Sequence, residues 1–555
     1  MRRLAGRRDI VVAALIAGLF SGAASAQVPP SEQPGRERER FVEPPAPRAQ
    51  PGGPTVTLPS TTAPAGAESI TVVLTRVVIE GATVYSASEL APLYADLVGR
   101  PVPLTAVYDI ARRVTAKYGA DGYVLSRAVV PPQNFGRTGA VVRIRVVEGY
   151  VDKVVWPANI AHYRDFFTYY AARITADRPA NIRTLERYLL LMTDLPGFKV
   201  TTALKPSASN PNASTLFVEV TEKRFDALGR IDNRGTHARG PLQYMASATV
   251  NNIIGAHEAF TVTYAGAFQP REMQYIAAGW RQVLTAEGLT FFANASYGPG
   301  RPGTFLLETL DYRTRSATAE AGLAYPVIRS RERNLTLSGL GFATNDESDM
   351  LGLPFTRDRI RGVRFKADAD WADALLGINQ VNLTVSQGLD GFGAAGDSTN
   401  AGRPGFTKLE ATVSRLQPLP ASFSALLAAH AQYALDPLLV SEQCGFGGRF
   451  FGRAFDPSQL IGDRCFHMLG ELRYDLPAFV PQLARTQFYG YADHGRIFNI
   501  DPALGTPRSA QASSLGAGLR LATPKDQFAA DLSVAKAVEG PRDDWRFFVT
   551  LTAKH

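Results

Sequence analysis

From Phe225 to the end of the chain, one pattern recurs: segments of roughly ten residues in which apolar and polar side chains alternate strictly. Val363, Phe365, Ala367, Ala369 and Trp371 are interleaved with Arg364, Lys366, Asp368 and Asp370. Phe260, Val262 and Tyr264 alternate with Thr261 and Thr263, and Val381, Leu383 and Val385 with Asn382, Thr384 and Ser386. The same holds for Leu409, Ala411 and Val413, and for Trp545, Phe547, Val549 and Leu551. A period of two means extended strand with two unlike faces. A soluble β-sandwich also alternates, but its apolar faces share one interior. Count and context separate the two cases. Divided over sixteen strands, residues 225–555 leave about 20 residues for each strand with its connection, and a membrane strand takes ~9–11. An even-stranded antiparallel barrel with an apolar outside and a polar lumen fits that arithmetic.

The N-terminus supplies the context. Arg2, Arg3, Arg7 and Arg8 precede an apolar run, Ile10 to Leu19, and Ala24-Ser25-Ala26 follows. This reads as a secretory signal peptide over residues 1–26, cut before Gln27. The run is short of the ~20 residues a spanning helix needs. No other stretch is apolar over 18 residues, so the expected mature chain is either soluble outside the cytoplasm or a β-barrel. Removing four Arg and one Asp with the leader lowers the formal charge from +8 to +5, too little to argue for nucleic acid. Two cysteines exclude a disulfide-dense scaffold. The seven histidines (162, 237, 257, 430, 467, 494 and 555) are scattered with no His-x-x-x-His pair, which argues against a histidine-built metal site.

Residues 27–68 carry eight prolines between Pro29 and Pro54, the composition of an extended linker without a core. Arg36 to Arg40 alternate Arg and Glu and allow a short helical turn. Residues 69–150 then read as a β-α-α-β-β module. Ile70 to Glu80 is a strand. Ser86-Ala87-Ser88-Glu89 is a capping box. Val107, Ile110, Val114 and Tyr118 form one helical face, and strands follow at Val124–Val130 and Val141–Val147. Residues 151–223 repeat that order: a strand near Val151–Trp156, helical stretches from Ala161 and after Asn181, and strands at Lys199–Lys205 and Leu216–Thr221.

This layout resembles the TpsB transporters of two-partner secretion, the haemolysin and haemagglutinin exporters of ShlB/FhaC/HecB type. "VVIEGATVYSASEL", "YGADGYVLSRAVVPPQ" and "VRIRVVEGYVDKV" are similar to the family's first POTRA domain, and "RPANIRTLERYLLLMTDLPGFKV" to its second. "GRIDNRGTHARGPLQY" resembles its first barrel strand, "FFGRAFDPSQLIGDR" the tip of the long loop that folds back into the barrel, and "FYGYADHGRIF" a later strand. The resemblance implies two POTRA domains (69–150 and 151–223) followed by a 16-stranded transmembrane barrel (224–555). The family's Arg-Gly-Tyr/Phe tip falls on Arg453, Ala454 and Phe455, with Gly452 in front and Ala454 in place of the usual glycine. In the family that arginine meets an aspartate of the inner wall, which maps to Asp493; Asp463 closes the same motif. The resemblance thus makes Gly452, Arg453, Phe455, Asp463 and Asp493 the transport and gating residues. Cys444 and Cys465 bracket the tip with twenty residues between them. An oxidising compartment predicts a disulfide rather than free thiols, with roughly 3 kcal/mol of stabilisation for a loop of that size. The terminal Thr552-Ala553-Lys554-His555 departs from the aromatic ending usual in such barrels, so an assembly signal is expected at Phe547, Phe548 and Leu551.

The function implied is an outer-membrane pore that captures an unfolded TpsA-like haemolysin or adhesin in the periplasm and exports it. Its other implied partners are outer-membrane lipids and the barrel-assembly machinery. The rivals are an assembly factor of the same superfamily, a diffusion porin, and an enzyme in a barrel. No Gly-x-Ser-x-Gly elbow or Walker sequence occurs. We therefore expect no catalytic residue, cofactor or metal.

Overall fold

The computed structural model describes residues 28–41, 46–52, 62–135, 139–397, 401–477, 480–502 and 505–555. The leader expected over residues 1–26 lies outside them.

The first module opens with β1 (Thr71–Glu80). The one-turn helix Ala87–Leu90 begins at the expected capping box: Ser86 Oγ accepts from the Glu89 N–H, and the Glu89 carboxylate accepts from the Ser86 N–H at 2.8 Å. Then come β2 (Pro101–Pro103), the helix Thr105–Ala120, β3 (Arg127–Val129) and β4 (Ala140–Val147). The sheet order is β2-β1-β4-β3, with β1 parallel to β4. Val107, Ile110, Val114 and Tyr118 are buried against Leu74, Val142 and Ile144. The strand expected over Val124–Val130 shrinks to β3, because the N–H groups of Tyr123 and Ser126 bond back to Tyr118 and Tyr123 as a turn.

The second module has β5 (Tyr150–Val155), the helices Arg164–Ala176 and Ile182–Thr193, β6 (Phe198–Pro206) and β7 (Ala213–Glu222), in sheet order β5-β7-β6. Asn181 caps the second helix by accepting from the Arg183 N–H at 3.0 Å. Apart from the short β2, which the second module lacks, the order β-α-α-β-β recurs. This module docks on the barrel through Glu287, in a turn between barrel strands. The hydroxyls of Tyr169 and Tyr188 each donate to it at 2.8 Å, and Arg187 pairs with it at 3.1 Å. Arg329 of the barrel grips Asp194 through two hydrogen bonds of 2.7 and 2.8 Å.

Sixteen antiparallel strands close the barrel, from Phe225–Asp232 to Trp545–Lys554. The seam between those two is short, running only from Thr550↔Asp232 to Lys554↔Leu228. By contrast, Arg333–Met350 and Leu353–Ala372 pair from end to end. Asn233 extends the seam with its side chain, donating to the Phe547 carbonyl at 2.9 Å and accepting from the Val549 N–H at 2.8 Å. Alternation sorts neighbours to opposite faces: Phe547 is 62% exposed and Phe548 3%. Phe365, Trp371, Leu383, Leu409 and Leu551 share the outer face. Among the described residues no helix is long and apolar enough to cross a membrane; the strands cross it. The apolar band marks the barrel wall as facing lipid.

One expectation is corrected. Residues 30–41 are not part of a core-less linker. A 3-10 turn (Pro30–Glu32) and a short helix (Glu37–Phe41) sit inside the barrel, and Glu32, Arg36, Glu37 and Arg40 are buried. Arg239 of the barrel pairs with Glu32 at 3.0 Å and Glu37 at 3.1 Å, and Arg38 with Glu320 at 3.1 Å. The Arg/Glu alternation of this segment matches a charged lumen, which receives it.

Candidate functional site in the barrel lumen

The strand Phe423–Ala434 and the wall strand that follows it, Arg464–Leu476, are joined by residues 435–463. This long loop folds into the lumen and forms its own two-stranded ribbon, Cys444–Phe446 with Leu460–Gly462. Its tip carries Gly452, Arg453, Ala454 and Phe455. Gly452 has φ +69°, and a Cβ there would stand 2.8 Å from the Phe446 ring, so the tip needs glycine at this position. The positive φ falls on Gly452 and not on Ala454, so alanine meets no left-handed backbone strain there. Ala454 and Phe455 are buried, and Phe455 packs 5.9 Å from Phe446, ring to ring.

Arg453 points at the wall. Its guanidinium lies 3.4 Å from the centre of the Tyr491 ring, a desolvated cation–π contact. Its Nη1 reaches Glu471 Oε2 at 2.5 Å. Asp493 is present too, but it binds the backbone: the Arg453 N–H donates to Oδ2 at 3.2 Å, while Nε stands 3.8 Å away. Ser514 donates to the other oxygen of Asp493. The expected pair is therefore shared, with Asp493 fixing the main chain of the tip and Glu471 taking the charge.

Glu471 is the residue that sequence reasoning missed. It also accepts from Arg473 at 2.7 Å and Arg520 at 2.8 Å, so one buried carboxylate serves three arginines. Arg520 lies over Tyr489 and pairs with Asp531 at 3.1 Å. Arg453 Nε and Nη2 make no hydrogen bond among the described residues. The tip arginine is thus enclosed yet incompletely bonded, a state that favours exchange over permanence.

Asp463 is not brought to the tip. It accepts from the N–H groups of Leu438 at 2.9 Å and Ile500 at 2.8 Å, and from Gln443 at 3.0 Å, fastening the base of the loop. Cys444 and Cys465 are joined there, with Cα atoms 6.2 Å apart. Lys408 and Arg364 on the wall hold Glu442, the former at 2.9 Å. On the far flank Asp456 meets Arg546 at 2.9 Å and Arg542 at 3.3 Å. Arg449 links the loop to the N-terminal segment, donating to the Arg40 carbonyl at 3.2 Å and pairing with Asp232. Between the second module and the lumen lies a cavity of about 1040 Å³, lined by Arg38, Asp194, Lys199, Lys223, Arg281 and Arg329 among others.

A closed barrel with periplasmic β-α-α-β-β modules and a charged loop locked in its lumen defines an outer-membrane transporter of POTRA-barrel type. Residues 72–149 match the ShlB-type POTRA domain, and residues 213–521 match the haemolysin secretion/activation protein family ShlB/FhaC/HecB. The chain belongs to that family of two-partner secretion transporters. It is 22% identical to the heme/hemopexin transporter protein HuxB of Haemophilus influenzae over 81% of this chain and 80% of that one. To the outer membrane transporter CdiB of Escherichia coli it is 23% identical, over 76% and 72%. The solved structure of E. coli CdiB superimposes with a TM-score of 0.70 at 19% identity, covering 90% of this chain and 94% of that one. CdiB from Acinetobacter baumannii gives 0.60 at 17% identity, covering 99% and 97%.

Proposed function

We propose that this chain exports an unfolded, TpsA-like haemolysin or adhesin from the periplasm to the cell surface. The observation that carries the reading is Arg453, held at the loop tip by Glu471, Tyr491 and Asp493 in a lumen that the loop and residues 30–41 occupy together. Such a pore passes an extended client only after those contacts exchange. The periplasmic modules supply capture. β6 lies at the edge of its sheet, and a nine-residue edge strand can accept an extended client by main-chain pairing. The basic cavity beside it leads towards the lumen. No nucleotide hydrolysis is needed if the client folds outside and cannot return.

The test is secretion by Arg453→Ala. The barrel should assemble at normal levels, and export of the cognate client should fall at least tenfold. Normal export at normal barrel levels would remove the mechanism. In parallel, the mature chain in detergent is titrated with unfolded client fragments, with and without residues 27–223. Binding that needs those residues supports capture by the modules. Channel conductance with no binding to any unfolded exoprotein favours a porin or an assembly factor instead.

A further inference from the structure

The disulfide that fastens the loop lies inside a second set of donor atoms. Cys465 and His467 sit two residues apart on the wall strand Arg464–Leu476 and face the lumen together. His430 is the register partner of His467 on the neighbouring strand. Cys444 comes from the loop ribbon. One donor atom from each of the four lies within 4.8 Å of the other three. The Cys444 Sγ to His467 Nε2 distance is already 3.7 Å. In a tetrahedral site with metal–sulfur bonds of ~2.3 Å and metal–nitrogen bonds of ~2.0–2.1 Å, donors stand roughly 3.3–3.8 Å apart.

The surroundings suit a metal as well. The Nδ1 of His430 meets Thr412 Oγ1 at 2.9 Å, the kind of outer-shell contact that fixes the ring of a ligating histidine. Phe446 and Phe451 pack 5.0 and 5.6 Å from His467, ring to ring, and exclude water. Cys444, Cys465 and His467 are buried. Linear spacing hides this set, because strand register and the folded-back loop bring it together.

We propose that, when the Cys444–Cys465 bond is reduced, Cys444, Cys465, His430 and His467 form a tetrahedral S2N2 site for a zinc-type divalent cation. Disulfide and metal are then alternative fasteners of the same loop. A dithiol supplies two electrons: its own disulfide forms, the Cys444–Cys465 bond breaks, and two thiols result. Binding the cation converts both thiols to thiolates, releases two protons and adds two imidazole bonds. Two sulfurs with two imidazoles in a tetrahedron select zinc over the hard oxygen-seeking cations. The disulfide ties the loop to one wall strand, whereas the metal ties it to two.

The probe is Co2+, which reports tetrahedral thiolate ligation by its absorption. Full-length mature protein in detergent is reduced with a dithiol, desalted under argon and titrated. One Co2+ per chain is expected, with thiolate charge-transfer and tetrahedral d–d bands that the oxidised protein lacks. His467→Ala and His430→Ala should abolish the tetrahedral spectrum while the barrel keeps its heat-modifiable gel shift. Thr412→Val, which touches no metal, should weaken affinity by about tenfold and keep the spectrum. Reduced protein that shows no thiolate bands overturns the proposal. So do bands unchanged by the histidine substitutions, or equal binding by the oxidised form.

Discussion

Among the described residues two segments occupy the lumen, and they differ in how they are tethered rather than in the chemistry that holds them. The loop 435–463 is anchored at both ends in wall strands, fastened by Asp463 and bridged by Cys444–Cys465. Residues 30–41 are held by ion pairs, with Glu32 and Glu37 sharing Arg239 and Arg38 reaching Glu320. An aromatic contact adds to these, Phe41 stacking 5.7 Å from Tyr275. Both segments present arginines and carboxylates to a polar wall. Buried pairs of this kind add little net stability but cost much when one partner is lost, so they hold a closed state without making it deep. Topology then decides the outcome. The contacts named for the N-terminal segment are all non-covalent. The loop can only rearrange, and Arg453 with its unbonded Nε and Nη2 is the group best placed to do so.

The largest effect should come from Arg239→Ala. It strands two buried carboxylates, Glu32 and Glu37, at about 3–5 kcal/mol for a half-removed buried pair. The N-terminal segment should leave the lumen, and single-channel conductance in planar bilayers should rise sharply while the loop stays in place. Unchanged conductance would show that the two segments are not independent. Glu471→Gln comes next, with a loss of about 3 kcal/mol at the loop tip, because Arg520 keeps Asp531 and softens the change. Protease cleavage within 447–459 should accelerate, with the N-terminal segment still protected. Reduction in chelator follows. Opening Cys444–Cys465 without metal should remove roughly 3 kcal/mol, seen as a lower Tm for loop release, and Zn2+ should restore part of it.

The parts of this architecture that were legible in the sequence are those set by local period. Val363 to Trp371 announces a strand between lipid and lumen because the two sides differ in polarity at every step. The Val107–Tyr118 stripe and the Ser86–Glu89 box announce a helix and its start. Glu471 was not legible, because its role depends on register. It lies directly across from Tyr491, and only that pairing puts a carboxylate beside the ring on which Arg453 rests. Burial of residues 30–41 was hidden for a related reason. A proline-rich, charged stretch reads as solvated linker until a closed barrel supplies a charged interior to receive it. His430 and His467, 37 positions apart in sequence, become neighbours only when two strands align.

The smallest effect concerns the contact between the second module and the barrel, and it sharpens the contrast because this joint responds to pH while the disulfide does not. Burial raises the pKa of Glu287, but hydrogen bonds from Tyr169, Tyr188 and Arg187 outweigh it and hold the carboxyl below its usual range. A folded-state pKa below the free value means that the joint's contribution is fully present above the ordinary glutamate pKa of ~4.3 and fades as pH falls through the depressed value. Spin labels on the helix Ile182–Thr193 and on the strand Thr290–Gly300 should therefore keep a narrow distance distribution from pH 8 down to about 4.3, and broaden only below it. Glu287→Gln should lose the pH dependence and show a modest broadening throughout, since an amide can still accept from the two tyrosines but cannot pair with Arg187. Broadening that begins near pH 6 in the native chain would assign the joint to a different group, with His257, packed 4.3 Å from the Phe166 ring at the same interface, the first to replace.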